Sequence, residues 1–295
     1  TSQANQSRLE QIRADAARIG DPRTASAADL ARASRMPSIA CLGYTVHGGE
    51  ASGTEAALAL MYQLAAGTDA ETRMILDSTV VLIDPVQNPD GHERHVQDVN
   101  RMHPACDGCF EHGVPTTPGA MVHQGSWPGP RTSHYYFDLN RDWSIHSHPE
   151  TRGRVGTFME WHPHVAVDLH EMGSSSSYFF APPMEPVNKN VHSSILRWWD
   201  IYAAATAAAS PRYGWAYFRR EGYEEFYAGY GVSWPILTGA VGMTYEQAPS
   251  SGGAIRRSDG TVLTLHDAAS HHYAAAWATT LTTAPGGIVI ATADK

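Results

Sequence analysis

A histidine and a glutamate stand three residues apart in "YTVHGGEASGTEAAL", residues 44–58, just after an apolar run that ends at Val46. Of the sixteen histidines, only His47 has a glutamate, Glu50, at that spacing. Gly48 and Gly49 lie between them and remove side chains that would obstruct a tight turn. From such a turn both residues can bend back onto one ion. Two more apolar runs finish in ionisable residues, "HVAVDLH" at His170 and "GAVGMTYEQ" at Glu246. Two histidines, one carboxylate and one open position for water make a catalytic zinc set. Taken alone, an HxxE is equally a polar turn at a strand end.

The elements that must position these residues read as an alternation. Helices are expected over 6–20, 53–67 (N-capped by Ser52), 149–161, 187–209 and 261–283. Buried strands are expected over 38–46, 78–86, 164–170 and 239–247. Residues 87–135 read as a long irregular loop rich in Gly, Pro, His and Cys. Alternation of this kind implies an α/β fold, a mixed, mostly parallel sheet sandwiched by helices. In open α/β sheets ligands bind beyond the carboxyl ends of strands, where the ionisable residues fall.

Five stretches in chain order resemble the zinc metallocarboxypeptidases, of the pancreatic carboxypeptidase A type with its bacterial branch. They are "HGGE" (47–50), "NPDG" (88–91), "DLNRDW" (138–143), "VDLH" (167–170) and "MTYEQ" (243–247). The resemblance spans about residues 38–285, within one catalytic domain over 1–295. It implies that His47, Glu50 and His170 hold one zinc ion and that Glu246 is the general base. It also implies that Asn140 and Arg141 clamp a substrate's terminal carboxylate and that Asp138 orients the first zinc histidine. The family's carbonyl-polarising arginine follows an Asn-Arg pair by three positions. In "NRMHP" that position is Pro104, so Arg101 or Arg131 takes the role, with Arg101 preferred. For the mobile capping tyrosine, "EEFYAGYGVSWP" offers Tyr227, preferred, and Tyr230. The implied activity is hydrolysis of the C-terminal bond of peptides or proteins.

Rival readings share part of this chemistry. Aspartoacylase-type deacylases of N-acyl-amino acids also carry an HxxE, an "LNR"-like run and a later histidine, and cell-wall peptide amidases use the same machinery. A non-catalytic binding module usually lacks a ligand or the base, and here all four residues are present. "HPACDGCFEH" spaces His103, Cys106, Cys109 and His112 by threes, which suits a Cys106–Cys109 disulfide, a second metal or free thiols. His92 and His95 read as solvated loop residues. The histidines of "HSHPE" and "WHPHV" read as capping or surface groups. His271 and His272 cannot both face one site. Ser174–Ser177 reads as loop, and Glu171 as a pocket residue on the strand face opposite His170.

The formal charge of −9 argues against a nucleic-acid partner. No apolar stretch approaches the ~20 residues that span a bilayer. Three cysteines make no disulfide framework. We expect a secreted or periplasmic protein whose signal segment lies outside this chain. We further expect a piece of a longer protein, without the strand pair that usually precedes the HxxE strand in the family. The run at 287–291, "GIVIA", reads as a strand beginning a further element.

Overall fold

The computed structural model describes residues 1–21, 23–33, 35–102, 127–249 and 253–292. Helices α1 (Gln3–Gln6), α2 (Leu9–Gly20) and α3 (Ala27–Ala33) lead into strand β1 (Ser38–Tyr44). Helices α4 (Ala51–Ala66) and α5 (Ala70–Ser78) precede β2 (Thr79–Asp84), and α6 (Pro89–Met102) follows it. A 3-10 turn at Leu139–Arg141 and helix α7 (Pro149–Trp161) come before β3 (Val165–Glu171). Then come β4 (Tyr178–Phe180), α8 (Ser193–Tyr213), β5 (Tyr217–Phe218), α9 (Ser233–Leu237) and β6 (Val241–Gln247). The hairpin β7 (Ala254–Arg256) and β8 (Val262–Thr264) and helix α10 (Leu265–Thr292) close the chain.

Six strands form one sheet in the order β2-β1-β3-β6-β4-β5. Pairings β2-β1, β1-β3, β3-β6 and β4-β5 are parallel, and β4 runs antiparallel to β6. The mixed, mostly parallel sheet expected from the sequence is what forms.

Strand alternation divides the chemistry from the core. On one face Ala40, Leu42 and Tyr44 of β1, Val165, Val167 and Leu169 of β3, and Val241, Met243 and Tyr245 of β6 join the large apolar core. They pack there with Leu60 of α4, Trp199 and Tyr202 of α8, and Ala275 of α10. Each Val, Leu or Met side chain there contributes about 1.5–3 kcal/mol on burial. Period two then sends Asp168, His170, Thr244 and Glu246 to the opposite face. A smaller cluster on that face joins Ile12 and Ala16 of α2 to Ile39 and Val80.

Several features differ from the sequence reading. Residues 89–102 are helix, not irregular loop: Pro89 and Asp90 start α6, Arg101 closes its last turn, and Val96, Val99 and Met102 recur at helical spacing. Helix α5 rests on Asp69, whose side chain accepts from Thr72 N. Ser52 is not the N-cap of α4; Glu50 is, with Ser52 inside the first turn. The run at 287–291 continues α10 instead of forming a strand, because a short apolar run fits either state and helix already precedes it.

Candidate active site

The turn after β1 is built by close backbone approach. Thr45 adopts φ 56°, and its hydroxyl donates to Glu50 O at 3.0 Å, closing the turn. Gly48 N donates to Pro130 O at 2.9 Å. A Cβ at Gly48 would lie 2.0 Å from Gly91 C and 2.1 Å from His92 N. The "HGGE" and "NPDG" turns therefore press backbone on backbone, which only glycine permits. Asn88 holds its own turn by accepting from Gly91 N at 2.9 Å and donating to Arg131 O at 3.2 Å.

Buried His47, Glu50 and His170 place their ligand atoms within 4.8 Å of one another. His47 Nδ1 lies 2.7 Å from Glu50 Oε1, and His170 Nδ1 lies 3.1 Å from Glu50 Oε2. Each outer nitrogen meets a carboxylate: His47 Nε2 is 3.2 Å from Asp138 Oδ1, and His170 Nε2 is 2.9 Å from Asp168 Oδ2. Carboxylates there favour the Nε2–H tautomer of both rings. Two Nδ1 lone pairs and a carboxylate then converge on one point. That arrangement is repulsive unless positive charge sits among them.

Without a metal, protons on the two imidazoles answer that demand for positive charge. Burial pushes Glu50 upward, but His47 and His170 outweigh it and hold its pKa far below the usual carboxylate range. Burial opposes a charge on His170, yet Asp168 and Glu50 raise its pKa well above the ordinary value. His47 is raised likewise, against burial, by Glu50 and Asp138. Borderline nitrogen and hard oxygen donors in this geometry fit a single zinc ion.

Residues 15–224 match the family model described as zinc carboxypeptidase. The chain belongs to the zinc carboxypeptidase family. The match does not favour the deacylase, amidase or binding-module readings. Among curated proteins no sequence matches this chain. Solved structures share its fold. A metallo-carboxypeptidase from Pseudomonas aeruginosa, in complex with (2-guanidinoethylmercapto)succinic acid, superposes with TM-score 0.59 at 15% identity over 86% of this chain and 58% of that one. A metallo-carboxypeptidase from Burkholderia cenocepacia gives 0.58 at 15% over 83% and 57%, and carboxypeptidase A from Helicoverpa armigera 0.55 at 15% over 91% and 65%. This chain thus spans less than two thirds of the length of each.

Beside the His47–Glu50–His170 cluster lies a cleft of about 320 Å³. Glu246 lines it, and its Oε2 has no hydrogen-bond partner among the described residues. Burial raises its pKa to about 8; His170 opposes that rise and Glu50 adds to it. Arg141 also lines the cleft, its guanidinium 4.6 Å from the ring centre of Tyr230, with Nη1 donating to Asn140 O at 2.9 Å. Asn140 Oδ1 accepts from Gly231 N at 2.6 Å, and Asn140 Nδ2 is 3.4 Å from His170 Nε2.

Two preferences from the sequence are not brought to the cleft. Arg101 lies on α6, paired with Asp98, and the cleft wall carries Arg131 instead. Arg131 Nε donates to Asp138 Oδ2 at 3.0 Å, and its Nη1 is 3.4 Å from His47 Nδ1. Tyr230 lines the cleft, its hydroxyl donating to Glu224 Oε1 at 2.8 Å, whereas Tyr227 is exposed with its hydroxyl 3.4 Å from Arg141 O.

Asp168 was missed, although its place two residues before His170 puts both on one strand face. Several histidines also differ from expectation. His92 and His95 belong to α6, with His92 Nδ1 3.0 Å from Gly48 O. His164 is buried and accepts from Ile39 N at 2.9 Å, so it is no surface group. His272 is buried between Tyr178 and the carbonyl of His170, while His271 meets Gln247. His103, Cys106, Cys109 and His112 lie outside the described residues.

Proposed function

We propose that this chain is a metallocarboxypeptidase that hydrolyses the C-terminal bond of a peptide. The observation that carries the reading is one cleft that joins the His47–Glu50–His170 cluster, a Glu246 carboxyl whose Oε2 has no partner among the described residues, and the Arg141 guanidinium. Zinc at His47, Glu50 and His170 would supply Lewis acidity, which polarises a carbonyl and strengthens water as a nucleophile near neutral pH. Arg141, with Asn140, binds the substrate's free carboxylate through its planar fork. The Tyr230 ring, 4.6 Å away, supports the guanidinium by a cation–π contact. Glu246 takes a proton from the attacking water as the new C–O bond forms. Arg131 faces the oxyanion that develops on the scissile carbonyl. Glu246 then returns its proton to the leaving nitrogen as the C–N bond breaks, releasing one amino acid.

The experiment is turnover of hippuryl-amino acids and free-acid peptides, compared with C-terminally amidated peptides and simple N-acyl-amino acids, with and without chelator. Chelator-sensitive release from free-acid peptides alone is expected. Equal cleavage of amidated peptides would refute an exopeptidase. Preference for N-acyl-amino acids would establish a deacylase.

A further inference from the structure

We propose that Glu171 is a positioning residue for the metal site: its carboxyl group ties the end of β3, which carries His170, to the start of α4, which carries Glu50. The inference rests on the reading of His47, Glu50 and His170 as metal ligands. Glu171 is the last residue of β3, directly after His170. Its Oε1 accepts from Ser52 N at 3.0 Å and from the Ser52 hydroxyl. Ser52 is fully buried in the first turn of α4, two residues beyond Glu50, the N-cap.

The first turn of a helix has backbone N–H groups with no partner inside the helix, and a carboxylate satisfies one well. Glu50 is already held on its own side of the turn, donating its N–H to His47 O at 3.0 Å and accepting on its carbonyl from Thr45 at 3.0 Å. Those bonds fix Glu50 against His47, in the same segment. The Glu171–Ser52 contact fixes that segment against β3, 119 residues away in sequence, where the third ligand sits. Placing a carboxyl here is costly, since Glu171 lines the same cleft as Glu50 and Glu246. A smaller polar or apolar residue would avoid that crowding but could not reach the Ser52 amide.

The tests are Glu171→Ala and Glu171→Gln. Zinc affinity is read by competition with a chromogenic chelator, and ligand geometry by the visible bands of the cobalt(II)-loaded protein. Glu171→Ala should weaken zinc binding roughly 10–100-fold and shift the cobalt bands. Glu171→Gln keeps an acceptor oxygen for Ser52 N and should stay close to the parent in both. Thermal unfolding of the zinc-free forms checks that the fold survives. If Glu171→Ala does not fold, Ser52→Ala, which removes the hydroxyl donor and keeps the amide, should show a smaller loss in the same direction. Parent-like zinc affinity and cobalt bands in Glu171→Ala would overturn the proposal. So would a loss in Glu171→Gln as large as in Glu171→Ala. Both readouts are independent of peptide turnover, so failure of this proposal and failure of the carboxypeptidase reading are seen separately.

Discussion

His170 and Glu246 are register partners in the parallel pairing of β3 with β6. Their side chains leave the same face of adjacent strands, whose spacing of about 4.8 Å is set by the sheet. The proposed third metal ligand and the proposed general base are thus held at a distance fixed by backbone hydrogen bonds. Glu246→Gln keeps the shape and removes the proton acceptor. We predict that kcat falls by about 10²–10⁴ while zinc content and unfolding match the parent. Near-normal turnover would remove Glu246 from the mechanism.

Arg131 and Arg101 give opposite predictions. Arg131 lines the cleft and contacts Asp138, whereas Arg101 pairs with Asp98 on α6. Arg131→Ala should lower kcat by about 10²–10³, the usual effect of losing one oxyanion donor. Arg101→Ala should leave kcat/KM near the parent value. Steady-state kinetics of both variants decide it, and the reverse ranking would restore Arg101.

What could be read from the sequence was whatever strand alternation and motif order encode. His47, Glu50, His170 and Glu246 sit at strand ends, and the apolar runs before them identify β1, β3 and β6. Period two could also have found Asp168, which shares a face with His170 in "VDLH". Arg131 was harder, because its approach to His47 depends on Asn88 gripping its carbonyl and on packing of the two glycine turns. No local pattern expresses such a contact between distant segments. Helix α6 escaped because it is polar on average, although Val96, Val99 and Met102 recur at helical spacing between its end signals.

Arg141 separates binding from chemistry. Its guanidinium is half exposed in the cleft, stacked on Tyr230. Arg141→Ala should raise KM strongly for free-acid peptides and change the weak turnover of amidated analogues little, since only the former offer a carboxylate. A charge-assisted hydrogen bond contributes about 1.5–3 kcal/mol, so a KM increase of roughly 10–150-fold is expected. Equal losses on both substrate types would assign Arg141 to the fold.

His164 predicts how stability responds to acid. It is buried beside the N-terminal end of β1, and its Nδ1 accepts from Ile39 N at 2.9 Å. An imidazole that accepts on Nδ1 keeps its lone pair there and is neutral. Burial lowers its pKa to about 4, against about 6.5 in the unfolded chain. Between these values the unfolded chain binds the extra proton, so stability rises with pH across the window. The contribution is complete above about pH 6.5 and is lost as pH falls through about 4, roughly 3 kcal/mol in all. His164→Asn offers Oδ1 to the same N–H and does not titrate. Urea unfolding from pH 7 to pH 4 should show the parent losing about 3 kcal/mol more than the variant. Other buried histidines titrate equally in both proteins and cancel in the difference. Parallel curves would mean that His164 has its ordinary pKa in the fold, and that the Ile39 contact does not hold the ring neutral.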